Sequence, residues 1–208
     1  MRKLTRHILF LLAFLLATPA FGGTILFLGD SLTAGLGVQE TEAYPALIEQ
    51  KLKEKNLPFN VVNAGLSGDT TAGGLARLDW VLQKKIDVLV LALGANDGLR
   101  GLPIAQTKAN LQAIIDRVKA KNPGIKIVIA GMQIPPNMGA DYATAFRDVF
   151  SDLARENQAA LVPFLLEGVG GHTELNQADH MHPTAAGHRI LADNVWRVLE
   201  PLLAKDSS

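Results

Sequence analysis

Short apolar runs alternate with longer amphipathic stretches along nearly the whole chain, and this alternation restricts the fold more than any single motif. Thr24–Leu28, Phe59–Asn63, Val88–Leu93, Lys126–Ala130 and Leu161–Pro163 are runs of strand length rich in apolar and β-branched residues. Between them lie stretches whose apolar residues recur at helical spacing. Tyr44–Lys55 carries Leu47, Ile48 and Leu52, with Pro45 suited to a first turn. Thr71–Gln83 carries Leu75, Leu78 and Leu82, and Pro103–Ala120 carries Leu111, Ile114, Ile115 and Val118. Ala140–Asn157 carries Phe146, Val149, Phe150 and Leu153, and Thr184–Leu203 carries Ile190, Leu191, Val195 and Leu199. Strands apolar on both faces, each followed by a helix, predict a parallel sheet covered on both sides. The expected architecture is a single α/β domain, a flavodoxin-like three-layer α/β/α sandwich around a five-stranded parallel sheet of order 2-1-3-4-5.

Loop lengths identify the working edge of that sheet. Helix-to-strand connections are short: Asn56–Pro58, Lys84–Asp87, Asn122–Ile125 and Gln158–Ala160. Strand-to-helix connections are long: Gly29–Ala43, Gly94–Leu102, Gly131–Gly139 and Phe164–Pro183. Ordinary connections in α/β units take ~2–6 residues, so the excess lies beyond the carboxyl ends of the strands, where open α/β sheets bind ligands.

The first twenty residues stand outside the alternation. Arg2, Lys3 and Arg6 precede the apolar run Ile8–Leu16, which is followed by Ala17-Thr18-Pro19-Ala20. A basic segment, a short apolar segment and small residues make a secretory signal, and the run is well short of the ~20 residues of a membrane span. Residues 1–20 are therefore expected to be removed near residues 20–22, leaving a domain over 23–208 that is periplasmic or secreted. No later apolar run exceeds strand length, so no stable membrane anchor is expected. The 20 Lys and Arg balance 20 Asp and Glu over the whole chain, but without the leader 17 face 20 and the protein is mildly anionic. That balance excludes nucleic-acid binding through a basic surface. The absence of cysteine excludes disulfides, zinc–thiolate sites and a cysteine nucleophile. A chain of this length buries a sufficient core without such staples. A monomer is the default expectation.

The polar residues gather at the same edge. The first strand ends in Gly29-Asp30-Ser31-Leu32, where a serine at a strand-to-helix turn can project its hydroxyl over the sheet edge. The spacing of a phosphate-binding loop is absent there. The second strand ends in Asn63-Ala64-Gly65-Leu66-Ser67-Gly68-Asp69-Thr70, with Gly68 allowing close approach of a ligand to a backbone N–H and Asp69 or Thr70 suited to cap the next helix. The third ends in Gly94-Ala95-Asn96-Asp97, and the Asn96 amide can donate hydrogen bonds to an oxyanion. Near the end comes Asp179-His180-Met181-His182-Pro183. A base for a serine needs an imidazole held by a carboxylate, and Asp179 and His182, three apart in a turn, satisfy this, with His180 the rival ring. Asp179, His180 and His182 also suit a metal, but no second ligand cluster accompanies them, so neither metal nor cofactor is expected.

These four blocks resemble those of the SGNH (GDSL) hydrolase superfamily, and the resemblance covers essentially the whole chain after the leader. Gly73-Gly74-Leu75-Ala76-Arg77-Leu78, Asn96-Asp97-Gly98-Leu99-Arg100-Gly101 and Met132-Gln133-Ile134-Pro135-Pro136-Asn137-Met138-Gly139 make it more similar still to small periplasmic enzymes of Gram-negative bacteria that act as acyl-CoA thioesterase, lysophospholipase and arylesterase. The resemblance implies that Ser31 is the nucleophile, His182 the base and Asp179 its orienter. It implies an oxyanion hole from the Ser31 and Gly68 N–H groups and the Asn96 side chain. Ala95 departs from a pattern in which a second glycine often follows Gly94.

The expected reaction is hydrolysis of a small-molecule acyl ester or thioester, including aryl esters, acyl-CoA and lysophospholipids, with a rate that falls on acidification as the imidazole is protonated. Leu32, Leu99, Leu102, Ile134, Pro135 and Met138 lie on the site-edge loops and are expected to line an apolar groove for the acyl chain, with Arg100 and Gln133 near a polar head group. A carbohydrate O-deacetylase or acyltransferase on the same scaffold is the alternative, and a non-catalytic binding module the third reading.

Overall fold

The computed structural model describes residues 22–204, the side chain of Pro136 excepted, so the expected leader over residues 1–20 lies outside the described range. The strands are β1 (Thr24–Gly29), β2 (Asn60–Gly65), β3 (Val88–Ala92), β4 (Lys126–Ala130) and β5 (Ala160–Val162). They form one five-stranded sheet in the order β2-β1-β3-β4-β5, with every pairing parallel. The order anticipated from the sequence is the observed one. Burial follows position in the sheet. Central β3 is buried at every residue and β1 at all but Thr24, whereas the edge strand β2 is half-exposed, with Val62 open to solvent.

Among the described residues eight α-helices accompany the sheet: α1 (Ser31–Ala34), α2 (Tyr44–Glu54), α3 (Thr71–Ala76), α4 (Leu78–Val81), α5 (Ala95–Leu99), α6 (Ile104–Lys121), α7 (Ala140–Asn157) and α8 (Ala185–Ala204). Helices α2 and α8 pack together on one face, and α3, α6 and α7 on the other. Most of the apolar stripe residues read from the sequence are buried, including Ile48 and Leu52 of α2, Ile114 and Val118 of α6, Phe146 and Phe150 of α7, and Leu191 and Val195 of α8, while Leu47, Leu75 and Ile190 are half-buried against them. No helix among the described residues is long and apolar enough to cross a membrane.

The structure departs from the expected elements in two places. The stretch Thr71–Gln83, read as one helix, is broken at Arg77 into α3 and α4. Gly73 and Gly74 weaken that helix intrinsically. Arg77 also turns its side chain away to donate to Asp69 Oδ2 at 2.7 Å and to the carbonyls of Gly29 and Ala64 at 3.2 and 2.8 Å. The second departure is that α1 and α5 occupy segments expected to be loop. Each is about one turn long and too short to show a periodic stripe.

Helix α1 lies hard against the end of β2. A Cβ at Gly65 would fall 2.2 Å from the Ala34 backbone nitrogen and 2.6 Å from the Thr33 carbonyl carbon, and neither can move without moving the turn that carries Ser31. Gly65→Ala is expected to cost about 1–3 kcal/mol in urea unfolding, the usual cost of overpacking. Relief of the clash should also displace the turn that carries Ser31.

Candidate active site

Three strand ends and one late loop meet at the carboxyl edge of the sheet. At the end of β1, Asp30 is the N-cap of α1, its Oδ1 accepting the Leu32 N–H at 3.0 Å. That cap holds Ser31 at the first position of the helix, with its side chain almost buried.

The late loop is stapled before it reaches the site. Asn176 and Pro183 form an isolated antiparallel bridge, and Gln177 donates through Nε2 to the carbonyls of Leu36 and Pro183 at 2.7 and 2.9 Å. Within the staple, Asp179 Oδ1 accepts the N–H groups of Met181 and His182 at 2.9 and 3.0 Å, while His180 takes the left-handed conformation that the tight turn needs. The turn leaves Asp179 Oδ2 at 2.6 Å from His182 Nδ1, and His182 Nε2 at 2.9 Å from Ser31 Oγ.

The electrostatics favour one direction of proton movement. The His182 N–H, the His182 ring and the Met181 N–H together hold the Asp179 carboxyl well below the usual carboxylate range, so it is ionised and acts as an acceptor. An ionised acceptor on Nδ1 fixes the proton there and leaves Nε2 free to accept from the Ser31 hydroxyl. Asp179 is itself exposed, its side chain 48% accessible, whereas the His182 ring is 16% accessible.

Two more of the residues expected at the site, Gly68 and Asn96, stand on the turns after the next two strands. Gly68, after β2, has φ +80°, which favours glycine, and open space lies where a Cβ would stand. Asn96, on the first turn of α5, presents its side chain to the same cavity while its Nδ2 donates to the Asp69 carbonyl at 2.9 Å. The two turns are tied by Asp97, which is 2% exposed. Its carboxyl accepts the Thr71 N–H at 2.9 Å and the Thr71 hydroxyl at 2.5 Å, and Asn110 Nδ2 donates to that same hydroxyl at 3.0 Å. Arg100 Nη2 adds a bond to the Gly68 carbonyl at 3.1 Å. Of the two candidates for capping α3, Thr70 does so, accepting the Gly73 N–H at 3.2 Å, and Asp69 pairs with Arg77 instead.

These groups open on a cavity of about 610 Å³, within the range of small-molecule sites. Ser31, Gly68, Asn96, Asp179 and His182 all line it. Of the six residues expected along the acyl groove, Leu32, Leu99, Ile134 and Pro135 are on its wall. Leu102 and Met138 are not: the Leu102 carbonyl accepts the Tyr142 hydroxyl at 2.8 Å, and Met138 lies half-exposed beside Gly101. The sequence reading missed Met132, Phe164, Leu166 and Met181, which supply much of the apolar wall. Three of these four lie in the long Phe164–Pro183 connection, so loop length alone marked the segment but not the residues. Gln133 lines the cavity, but Arg100 does not.

The histidines outside this line are placed elsewhere. His180 lines the cavity without a carboxylate hydrogen bond of the kind His182 makes. His188, at 1% exposure, accepts the Tyr44 N–H at 3.3 Å, and burial pulls it down to about 4. Both ring nitrogens of His182 are engaged, and among the described residues no group of three or more His, Asp or Glu side chains is arranged to hold a metal ion.

The profile of the GDSL-like lipase/acylhydrolase family matches residues 27–190, which span the three strand ends and the late loop. The chain belongs to that family. It is 44% identical over 190 residues to esterase TesA of Pseudomonas aeruginosa, covering 91% of this chain and 94% of that protein. It is 38% identical to thioesterase 1/protease 1/lysophospholipase L1 of Escherichia coli K12, covering 97% of this chain and 95% of that protein. Among solved structures, the psychrotrophic esterase EstA from Pseudoalteromonas sp., inhibited by monoethylphosphonate, superposes with a TM-score of 0.82 at 32% identity, covering 88% of this chain and 99% of that one.

Two outcomes follow from the buried acids of the site. Asp97→Ala leaves the Thr71 donors without their acceptor and is expected to cost about 2–3 kcal/mol in urea unfolding. Burial pushes Asp30 from 3.8 up to about 6, so its contribution to stability is fully present below pH 4 and is lost as pH rises through 6. Asp30→Asn should therefore raise the unfolding free energy at pH 8 by on the order of 3 kcal/mol and by little at pH 4, measured as two urea titrations.

Proposed function

We propose that this protein is a serine hydrolase that cleaves carboxylic esters and thioesters of acyl chains through an acyl-enzyme, with Ser31 as nucleophile, His182 as general base and Asp179 as its orienter. The observation that carries this reading is the hydrogen-bonded line from Asp179 through His182 to Ser31 Oγ, opening on an apolar cavity. His182 Nε2 takes the Ser31 proton as Oγ attacks the acyl carbonyl carbon, and the carbonyl π pair moves onto oxygen. The Ser31 and Gly68 N–H groups and the Asn96 amide receive that oxyanion. Collapse of the tetrahedral intermediate expels the alcohol or thiol, which His182 protonates, and water attacks the acyl-Ser31 in a second cycle of the same steps.

The cavity supports acyl chains as substrates. Leu32, Leu36, Leu99, Met132, Ile134 and Phe164 offer nothing for a sugar hydroxyl to bond, which counts against an O-deacetylase. The names of the relatives, esterase and thioesterase/lysophospholipase, support both oxygen and sulfur leaving groups. Residues 1–20 would direct export, so the working protein comprises residues 23–208, and its substrates are small acyl esters and thioesters met outside the cytoplasm.

Ser31→Ala is expected to abolish hydrolysis of p-nitrophenyl esters, and Asn96→Ala to lower kcat by roughly 100–1000-fold, the cost of one oxyanion donor. Undiminished activity in Ser31→Ala would remove the mechanism. A chain-length series on ester and thioester substrates should rise from acetyl to medium or long acyl groups, whereas a preference for acetyl would favour the deacetylase reading.

A further inference from the structure

We propose that Asp30, the residue before Ser31, is a positioning residue for this reaction, a buried carboxylate whose charge favours the imidazolium that His182 becomes. The inference rests on the assignment of Ser31 and His182 as nucleophile and base. Asp30 is 1% exposed. Its Oδ1 caps α1, but its Oδ2 is buried without a hydrogen-bond partner, one of two such side-chain atoms among the described residues, with His188 Nε2. Capping does not require an acid, since serine or asparagine serves equally well and avoids the desolvation of a carboxylate. An acid retained there with an unsatisfied oxygen calls for a role in which the charge itself matters.

The charged groups that face Asp30 supply that role. His182, on the loop after β5, favours its ionised form, whereas Asp69, on the loop after β2, opposes it. Asp69 is in turn engaged by Arg77, which also bonds the Gly29 carbonyl next to Asp30. Tyr44 of α2 senses the Asp30 charge, but burial holds its hydroxyl in the neutral form. Of the charged groups around Asp30, the ring that receives the Ser31 proton is the one that favours its ionised form.

The two acids acting on His182 sit in opposite surroundings. Asp179 touches the ring but is exposed, and water and salt screen its charge. Asp30 does not touch the ring but is buried, so its field is weakly screened. Asp179 sets the orientation of the imidazole, and Asp30 adds electrostatic stabilisation as the cation forms. Burial places the Asp30 titration at about 6, so mild acidification removes the charge.

The test is Asp30→Asn, whose amide oxygen keeps the cap while removing the charge. Expected are a kcat lower by about tenfold with KM unchanged, loss of the extra tenfold fall in rate that protonation of Asp30 adds to the wild-type acid limb, and movement of the remaining limb to lower pH. A kcat and acid limb coincident with those of the wild type would overturn the proposal, because a capping role alone predicts them. Stoichiometric labelling of Ser31 by a fluorophosphonate in the wild type checks the underlying mechanism separately. If the variant does not fold, the wild type decides. An added fall of about tenfold in rate on acidification, with the ¹³C-carboxyl resonance of Asp30 titrating over the same pH range, supports the proposal; absence of that added fall, or a resonance that does not titrate there, overturns it.

Discussion

Strand β1 is hydrogen-bonded to β2 on one side and β3 on the other, and the site depends on that pair of parallel ladders. The register places Gly29 beside Gly65 and beside Ala92, so the first three strands end level with one another. Parallel pairing sends every carboxyl end to the same edge, and each chain must turn there into a helix. Ser31, Gly68 and Asn96 occupy those turns. Their convergence is a property of strand direction and register, with side-chain contacts refining it afterwards.

What refines it is a set of buried polar clamps. Asp97 grips Thr71, Arg77 grips Asp69 and the carbonyls of two strands, and Thr33 shares a hydrogen bond with Tyr44 at 2.9 Å. An apolar contact in these positions would add stability but tolerate sliding, whereas a buried hydrogen bond is satisfied in only one arrangement. The Ser31 contact with His182 joins residues 151 apart in sequence. It depends on the late loop being stapled at Asn176, Gln177 and Pro183, since a free loop of that length would not hold an imidazole within hydrogen-bond reach.

Much of this was legible in the sequence, for identifiable reasons. The apolar runs and helical stripes predicted the parallel sheet because burial on both faces leaves a strong compositional mark, and the doubly wound fold class then supplied its order. The uneven loop lengths marked the working edge, because only one end of each strand carries long connections. The site residues stood out where chemistry demands an unusual residue at a turn, as with Asp179 and His182. The break at Arg77 was invisible because its cause is a side chain reaching across to Gly29 and Ala64. Leu102 and Met138 were expected in the groove on loop position alone, and position does not specify direction.

The sequence by itself determined the layered α/β architecture, the edge with the long connections and the few polar residues gathered there. These are consequences of local pattern, read from periodicity, turn chemistry and spacing. Only the tertiary structure decided that Thr70 caps α3 while Asp69 binds Arg77, that Asp97 joins two turns, and that Phe164 and Leu166 form the cavity wall. It also decided that Asp30 lies buried with an unpaired oxygen while Asp179 lies in water. Burial and long-range partnership are set by what the rest of the chain places around a residue, and a carboxyl group carries no mark in the sequence of whether water reaches it.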